Sequence, residues 1–193
     1  MRWVLCLILC ALAGQATAAP CLEVFGAIGY SGVTGASLVP PSGLTLQAGV
    51  GYHLKRSTSL ELIAGHLWLG KIYYSYGGVG DLNSDSRVTL VPITLNVTQV
   101  FRTQLPYPYV TLGGGLYALH YDRIHSDVPN EWTVHPGING GLGFKGPPDK
   151  FEVRLDFRAH FSHLNADSQP RYDLARRDEW MRVLVIALGV QFP

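Results

Sequence analysis

The chain has 193 residues, with fifteen Lys and Arg against fourteen Asp and Glu; 47% of its residues are hydrophobic and only 15% are charged. A near-neutral chain with scattered charges offers no footprint for nucleic acid, and the length admits one or two domains, a single all-β barrel among them. Beyond its first residues, no stretch approaches the about 18 consecutive apolar residues of a spanning helix.

The chain opens on a short basic start, Met1-Arg2-Trp3, then an apolar run from Val4 to Leu12 and a small-x-small site at Ala16-Thr17-Ala18. These are the parts of an export signal. Residues 1–19 are therefore expected to be removed near Ala18 or Ala19, leaving residues 20–193 as the folded domain. Arg2 leaves with the signal, which makes bases and acids equal at fourteen each. Cys6 and Cys10 leave too, and Cys21 alone stays. One cysteine closes no intramolecular disulfide, which argues against a small secreted scaffold held by bridges. Pro20 spoils the small-residue site that a lipid-modified Cys21 would need.

From there each alternating segment is followed by a turn or loop. Residues 22–30 set Leu22, Val24, Ile28 and Tyr30 on one side, and a Gly-, Ser- and Pro-rich stretch follows at 31–43. Residues 44–54 alternate cleanly, with Leu44, Leu46, Ala48, Val50, Tyr52 and Leu54 against Thr45, Gln47 and His53. After the tight connection 55–57, residues 60–69 begin as a strand with Glu61 on the polar side. Past Ala64 the parity is ambiguous, and a bulge near Gly65 is one explanation. Residues 70–86 read as a long polar loop rich in Gly and Tyr.

Residues 88–101 set Val91, Ile93, Leu95 and Val97 against Thr94, Asn96 and Thr98. Pro92 lies inside this run, where a central strand excludes it, so a local bulge is expected there too. Residues 109–121 place Val110, Leu112, Leu116 and Ala118 opposite Thr111, Gly113, Gly115 and Tyr117. Residues 132–144 place Val134, Ile138, Leu142 and Phe144 opposite His135 and Asn139. A Gly146-Pro147-Pro148 turn leads into residues 151–162, the sharpest pattern in the chain. Phe151, Val153, Leu155, Phe157, Ala159 and Phe161 alternate there with Glu152, Arg154, Asp156, Arg158, His160 and Ser162. A helix of period 3.6 would scatter both sets, whereas a strand gives each its own wall. Residues 180–192 close the chain after a loop at 163–178.

The seven connections then run 13, 3, 17, 6, 10, 5 and 16 residues, long and short in turn. A meander that sorts its loops by length to opposite ends is the pattern of an outer-membrane barrel, and an even strand number puts both termini at the short-turn end. The expected fold is thus all-β, an eight-stranded antiparallel up-and-down transmembrane β-barrel in the bacterial outer membrane with periplasmic termini.

Alternation alone does not say which wall meets which solvent; a soluble barrel would line a ligand cavity with its apolar wall. The four lysines (Lys55, Lys71, Lys145, Lys150) sit in turns or at strand ends, not along a water-facing wall. The polar wall is mostly small: Gly, Thr, Asn and Gln with a few charges. Aromatics cluster near strand ends, at Tyr30, Tyr52, Trp68, Phe101, Tyr107, Tyr109, Tyr121, Trp132, Phe144, Phe151, Trp180 and Phe192. Those are the levels of two interfacial girdles. With the apolar wall outward, Glu152, Arg154, Asp156 and Arg158 share the lumen with Glu23 and Glu61 and are expected to pair with one another as a plug.

In this arrangement the chain resembles the small outer-membrane β-barrels of OmpA and OmpX type over residues 21–192. The resemblance is carried by Val91-Pro92-Ile93-Thr94-Leu95-Asn96, by Pro108-Tyr109-Val110-Thr111-Leu112-Gly113-Gly114-Gly115, by the charged strand 152–158, and by the ending Leu188-Gly189-Val190-Gln191-Phe192. It implies an integral protein surrounded by outer-membrane lipid and lipopolysaccharide. It also implies a terminal aromatic, Phe192, read by the barrel assembly machinery; the family's peptidoglycan-binding role is not carried over.

One catalytic constellation stands out. His160-Phe161-Ser162, with Asp173, Asp178 and Glu179 downstream, resembles the lipid A deacylases of PagL type, in which a Ser nucleophile activated by His hydrolyses an acyl ester. His163 stands where that family has Asn, and the two residues continue the inward wall, so a structural, non-enzymatic barrel is favoured, with no catalytic, cofactor or metal residues assigned. His66, His120, His125, His135, His160 and His163 lie toward the long-loop end without a compact ligand spacing. Exposed loops on a rigid scaffold carry recognition, which makes loops 31–43, 70–86 and 163–178 the candidates for an extracellular ligand.

Overall fold

The computed structural model describes residues 22–34, 42–74, 84–102, 105–124, 131–147, 152–164 and 179–192. The expected signal 1–19 and Cys21 lie outside the described residues, as do the centres of the predicted loops. The eight strands are β1 (Leu22–Thr34), β2 (Ser42–Lys55), β3 (Thr58–Tyr74), β4 (Ser84–Val100), β5 (Tyr107–Ile124), β6 (Glu131–Lys145), β7 (Glu152–Leu164) and β8 (Glu179–Phe192). Each pairs antiparallel with its neighbour, and β1 closes on β8 from Val24↔Phe192 to Thr34↔Arg182. The first and last described residues both lie at the end that carries the two-residue turn 56–57.

Every strand predicted from alternation is present, and most run further than the pattern allowed. The 31–43 loop gives up its ends to β1 and β2, and 70–86 does so to β3 and β4. The segments between strands become 35–41, 56–57, 75–83, 101–106, 125–130, 146–151 and 165–178, so the strict sorting by length does not survive in the third pair. Strands β3, β4 and β5 have 17, 17 and 18 residues against 13 in β1 and β7. At about 3.3 Å per residue and a tilt of about 40°, β5 rises about 45 Å. That exceeds the about 25 Å apolar band of such barrels, so the β3–β5 wall continues past it.

The bulge offered for the parity near Gly65 lies further along, and the one expected at Pro92 is absent from the β4–β5 ladder. The β3–β4 register shifts between Trp68 and Gly70, and Gly70 takes φ 102°, a conformation that a side chain disfavours. At Pro92 the register against β5 runs unbroken from Asp85↔Ile124 to Val100↔Tyr109. The proline is accommodated on its other edge, where the β3–β4 ladder skips from Ala64↔Ile93 to Leu67↔Leu90. Pro92 has no N–H to give there, and its Cγ would lie 2.9 Å from a Cβ on Gly65, so glycine makes the room.

The walls are sorted as the seventh segment suggested. Arg154, Asp156 and Arg158 are buried inside, while Val153 and Phe161 are exposed outside. The exposed surface carries Leu62, Ile93, Leu95, Leu112, Leu116, Ile138, Leu142, Leu184, Ile186 and Leu188, an apolar belt around the barrel. Tyr30, Tyr52, Trp68, Phe101, Trp132, Phe144, Trp180 and Phe192 face outward near its edges, but Tyr109 and Tyr121 do not: both are buried in the lumen.

Candidate functional site

The lumen is built in two layers. In the half next to the short turns, Arg154 reaches from β7 to β3, the strand diametrically opposite in the closed order. Its Nη1 and Nη2 donate to Glu61 Oε1 and Oε2 at 3.1 and 3.0 Å, a two-point pairing of guanidinium and carboxylate. Its Nε donates to the Tyr109 hydroxyl at 2.9 Å. The guanidinium carbon lies 4.8 Å from the ring centres of both Phe25 and Tyr109, so two aromatic faces hold the cation from the sides.

Asp156 joins this strut to a second cation. Its Oδ2 accepts from Arg158 Nη2 at 2.8 Å and lies 3.5 Å from Arg154 Nη2. Successive positions on one wall of a strand are about 7 Å apart, so alternating charge there seats Asp156 between Arg154 and Arg158. Nearer the rim, Glu23 pairs with His53 and lies 3.8 Å from Lys145, and Gln191 donates to Glu152 at 3.3 Å. Lys145 is thus a buried member of the cluster, although its position at a strand end read as a turn residue.

Above the charges the lining changes. Thr98 bonds Thr111 at 3.1 Å, and Asn96 bonds Thr94 at 3.0 Å. Beyond them Leu67, Leu69, Val88, Leu90, Leu119 and Val183 meet across the interior with Tyr117 and Met181, all nearly inaccessible. The expected polar wall carries its charged network in the lower half; the outer half is mostly apolar, with buried Ser31, Thr133 and His135 among its leucines and valines, and it faces an apolar belt.

His160 and Ser162 sit between these layers, inside. Ser162 Oγ donates to the Pro136 carbonyl at 3.0 Å. His160 Nδ1 lies 3.0 Å from the Tyr117 hydroxyl, which in turn donates to the Ile138 carbonyl at 3.3 Å. The two side chains serve different partners and form no nucleophile–base contact. Asp173 and Asp178 lie outside the described residues, and Glu179 begins β8.

No family model matches the sequence, and no curated protein sequence matches it. In three dimensions the chain is similar to neisserial surface protein A (NspA) at a TM-score of 0.61 and 14% identity, over 91% of this chain and 99% of that one. It is similar to a major outer membrane protein from Thermus thermophilus at 0.59 and 15%, again over 91% and 99%. A third similar structure is Ail, the attachment invasion locus protein of Yersinia pestis, in complex with the heparin analogue sucrose octasulfate, at 0.53 and 13% over 89% and 99%. The chain has the fold of the small eight-stranded outer-membrane β-barrels. At such identities the likeness speaks for the fold alone.

On a barrel of this fold the outward wall at the long-loop end is an interfacial level, and there the histidines divide. His66, His120 and His163 lie on the outward parity, each against a tryptophan: Trp68, Trp132 and Trp180, with ring centres 4.3, 4.3 and 5.0 Å apart. His135 and His160 point inward, His135 bonding Thr133 at 3.0 Å. His125 lies outside the described residues. Among the described residues no three of His, Cys, Asp and Glu are grouped as for a metal. The sequence held a partial signal for these pairs, since His66-Leu67-Trp68 places both rings on one wall. His120–Trp132 and His163–Trp180 join different strands and needed the register.

Proposed function

We propose that the protein is a non-enzymatic integral protein of the bacterial outer membrane, with both termini periplasmic and a lumen closed by its own side chains. Its work is structural or adhesive, through the surface loops within residues 31–43, 70–86 and 163–178. The observation that carries this reading is the inversion of the walls: an unbroken belt of Leu, Ile and Val outside, with Arg154, Glu61, Asp156 and Arg158 sealed inside. Only a hydrocarbon solvent rewards that arrangement. A neighbour of the same fold is described as an attachment protein and solved with a sulfated sugar, which makes surface recognition the role to test first. Outer-membrane lipid and lipopolysaccharide surround the belt, and the barrel assembly machinery reads the end at Phe192.

The test is fractionation of expressing cells with heat-modifiable gel mobility, followed by binding of those cells to host-cell surfaces with each loop replaced by a short Gly-Ser linker. Folded protein in the outer-membrane fraction, with binding lost on loop replacement, is expected. Recovery in the aqueous fraction would overturn the localisation, and undiminished binding by all loop variants would overturn the loop role. Lipid A mass spectra should be the same with and without Ser162→Ala; a lost deacylation product would establish the enzyme instead.

A further inference from the structure

We propose that the lumen holds a chamber of ordered water between its two layers, bound by the Arg158 guanidinium and the Asn139 amide. The inference rests on the closed-lumen reading and goes beyond it, since it places solvent inside a barrel sealed above and below. Two arginines of β7 carry the observation. Arg154 donates to protein through all three of its nitrogens: Nε to Tyr109, Nη1 to Glu61, and Nη2 to Glu61 and Asp156. Arg158 is buried as deeply, at 3% exposure, yet only its Nη2 has a protein partner, Asp156. Among the described residues its Nε and Nη1 have none. A buried cation with two bare nitrogens is too costly to leave dry.

The neighbouring strands make room beside Arg158. Tyr109 lies over Gly143 and Tyr117 over Gly137, so closely that a Cβ on either glycine would collide with the tyrosine above it. These two rings are the floor and roof. Between them the inward positions are Asn139 and Gly141 on β6, and Thr111, Gly113 and Gly115 on β5. Arg158 stands opposite Gly141, and His160 opposite Asn139. Three of those five inward positions carry no side chain, and they flank a cation that lacks partners. Asn139 is 1% exposed and close to the Tyr117 hydroxyl, but neither its nitrogen nor its oxygen meets a partner in hydrogen-bond geometry.

The bare atoms are of both kinds. Donors remain at Arg158 Nε and Nη1 and at Asn139 Nδ2; acceptors remain at Asn139 Oδ1 and Asp156 Oδ1. The Tyr117 hydroxyl gives its one proton to the Ile138 carbonyl, so His160 Nδ1 donates to that hydroxyl and its bare Nε2 is a further acceptor. An anion would serve the donors and repel the acceptors, and a metal cation would do the reverse. Nor is another charge called for, because Arg154 and Arg158 are already balanced by Glu61 and Asp156. Water both donates and accepts, and a polar site with several such partners is where buried water belongs.

The two arginines also supply the test, one wet and one dry. The 15N-labelled protein is reconstituted in bilayers of deuterated lipid, and solid-state NMR follows magnetisation passed from water protons to side-chain nitrogens. Transfer to Arg158 Nε and Asn139 Nδ2 is expected to build up several-fold faster than transfer to Arg154 Nε. The Arg158 Nε resonance should stay in place when chloride in the buffer is replaced by gluconate. Equally slow transfer at both arginines overturns the chamber. A resonance that moves on removal of chloride overturns water in favour of an anion. Equally fast transfer at both arginines would instead overturn the closed lumen on which the chamber rests, and the chamber with it. No variant is needed, so the outcome does not depend on whether a substituted barrel folds.

Discussion

Replacing Glu61 by Leu should destabilise the barrel by about 3–5 kcal/mol, because it leaves the Arg154 guanidinium buried without its carboxylate. Arg154 and Glu61 are 2% and 1% exposed, so water reaches neither. At the 3.0 Å separation of Nη2 and Oε2, two unit charges attract by about 5.5 kcal/mol at an effective dielectric of 20. Desolvating both ions offsets much of that, which is why the pair adds little over an apolar pair of equal size while either ion alone is costly. Arg154→Met should cost a similar amount, since among the described residues Glu61 then keeps the Ser59 hydroxyl, at 3.4 Å, as its one side-chain hydrogen-bond partner.

The double variant Glu61→Leu, Arg154→Met should recover most of the loss, to within about 1 kcal/mol of the parent, because Phe25 and Tyr109 already present apolar faces to the site. Asp156 does not become an orphan in that background, as Arg158 still donates to it at 2.8 Å. The measurement is urea-driven unfolding in lipid vesicles, followed by tryptophan fluorescence and checked by heat-modifiable mobility. A coupling energy above about 2 kcal/mol is expected. Additivity of the two single variants to within about 0.5 kcal/mol would refute the reasoning, since it would mean the charges do not meet in a dry interior.

Three other outcomes follow from the same geometry. In planar bilayers the parent protein should give no conductance steps, whereas Leu90→Asn with Leu119→Asn should open them by wetting the outer half of the lumen; a conducting parent would refute the closed lumen. Leu112 is 70% exposed in the belt, so Leu112→Arg should cost about 2–4 kcal/mol in vesicle unfolding, and a neutral result would remove Leu112 from the hydrocarbon. Gly65→Val should cost about 1–3 kcal/mol through its clash with the Pro92 ring, and adding Pro92→Ala should relieve it, as the same unfolding assay would show.

Period-two alternation was legible wherever the two walls differ in chemistry. In β7 the inner wall is charged and the outer wall apolar, so both strand and direction follow from the letters. In the outer half of β3 they do not differ: Leu67 and Leu69 point into the dry layer while Trp68 points to the interface, and an apolar run gives no parity. The misplaced bulge at Gly65 came from that run. Strand ends were hidden for the opposite reason. Where β3 and β4 rise beyond the apolar band, no hydrocarbon imposes alternation, and Ser84-Asp85-Ser86 reads as loop although it pairs with β3. Tyr109 and Tyr121 were assigned to the girdle by their distance from a strand end, but parity with Thr111 and Tyr117 already placed them inside.

The division of the lumen also bears on where function can reside. Four formal charges, Glu61, Arg154, Asp156 and Arg158, lie within one network whose members are nearly inaccessible, and the outer half adds a plug of Leu, Val and Met across the axis. An ion entering from the short-turn side would have to displace a two-point ion pair clamped between two rings, then shed its water among Leu67, Leu90 and Leu119. Either step alone is costly, and they act in series. What distinguishes this chain from a bare plug is carried on surfaces that the plug holds rigid: strands of 17 and 18 residues that run past the apolar belt, and outward pairs of imidazole and indole. A rigid interior is what lets those surfaces keep a fixed geometry at a membrane boundary.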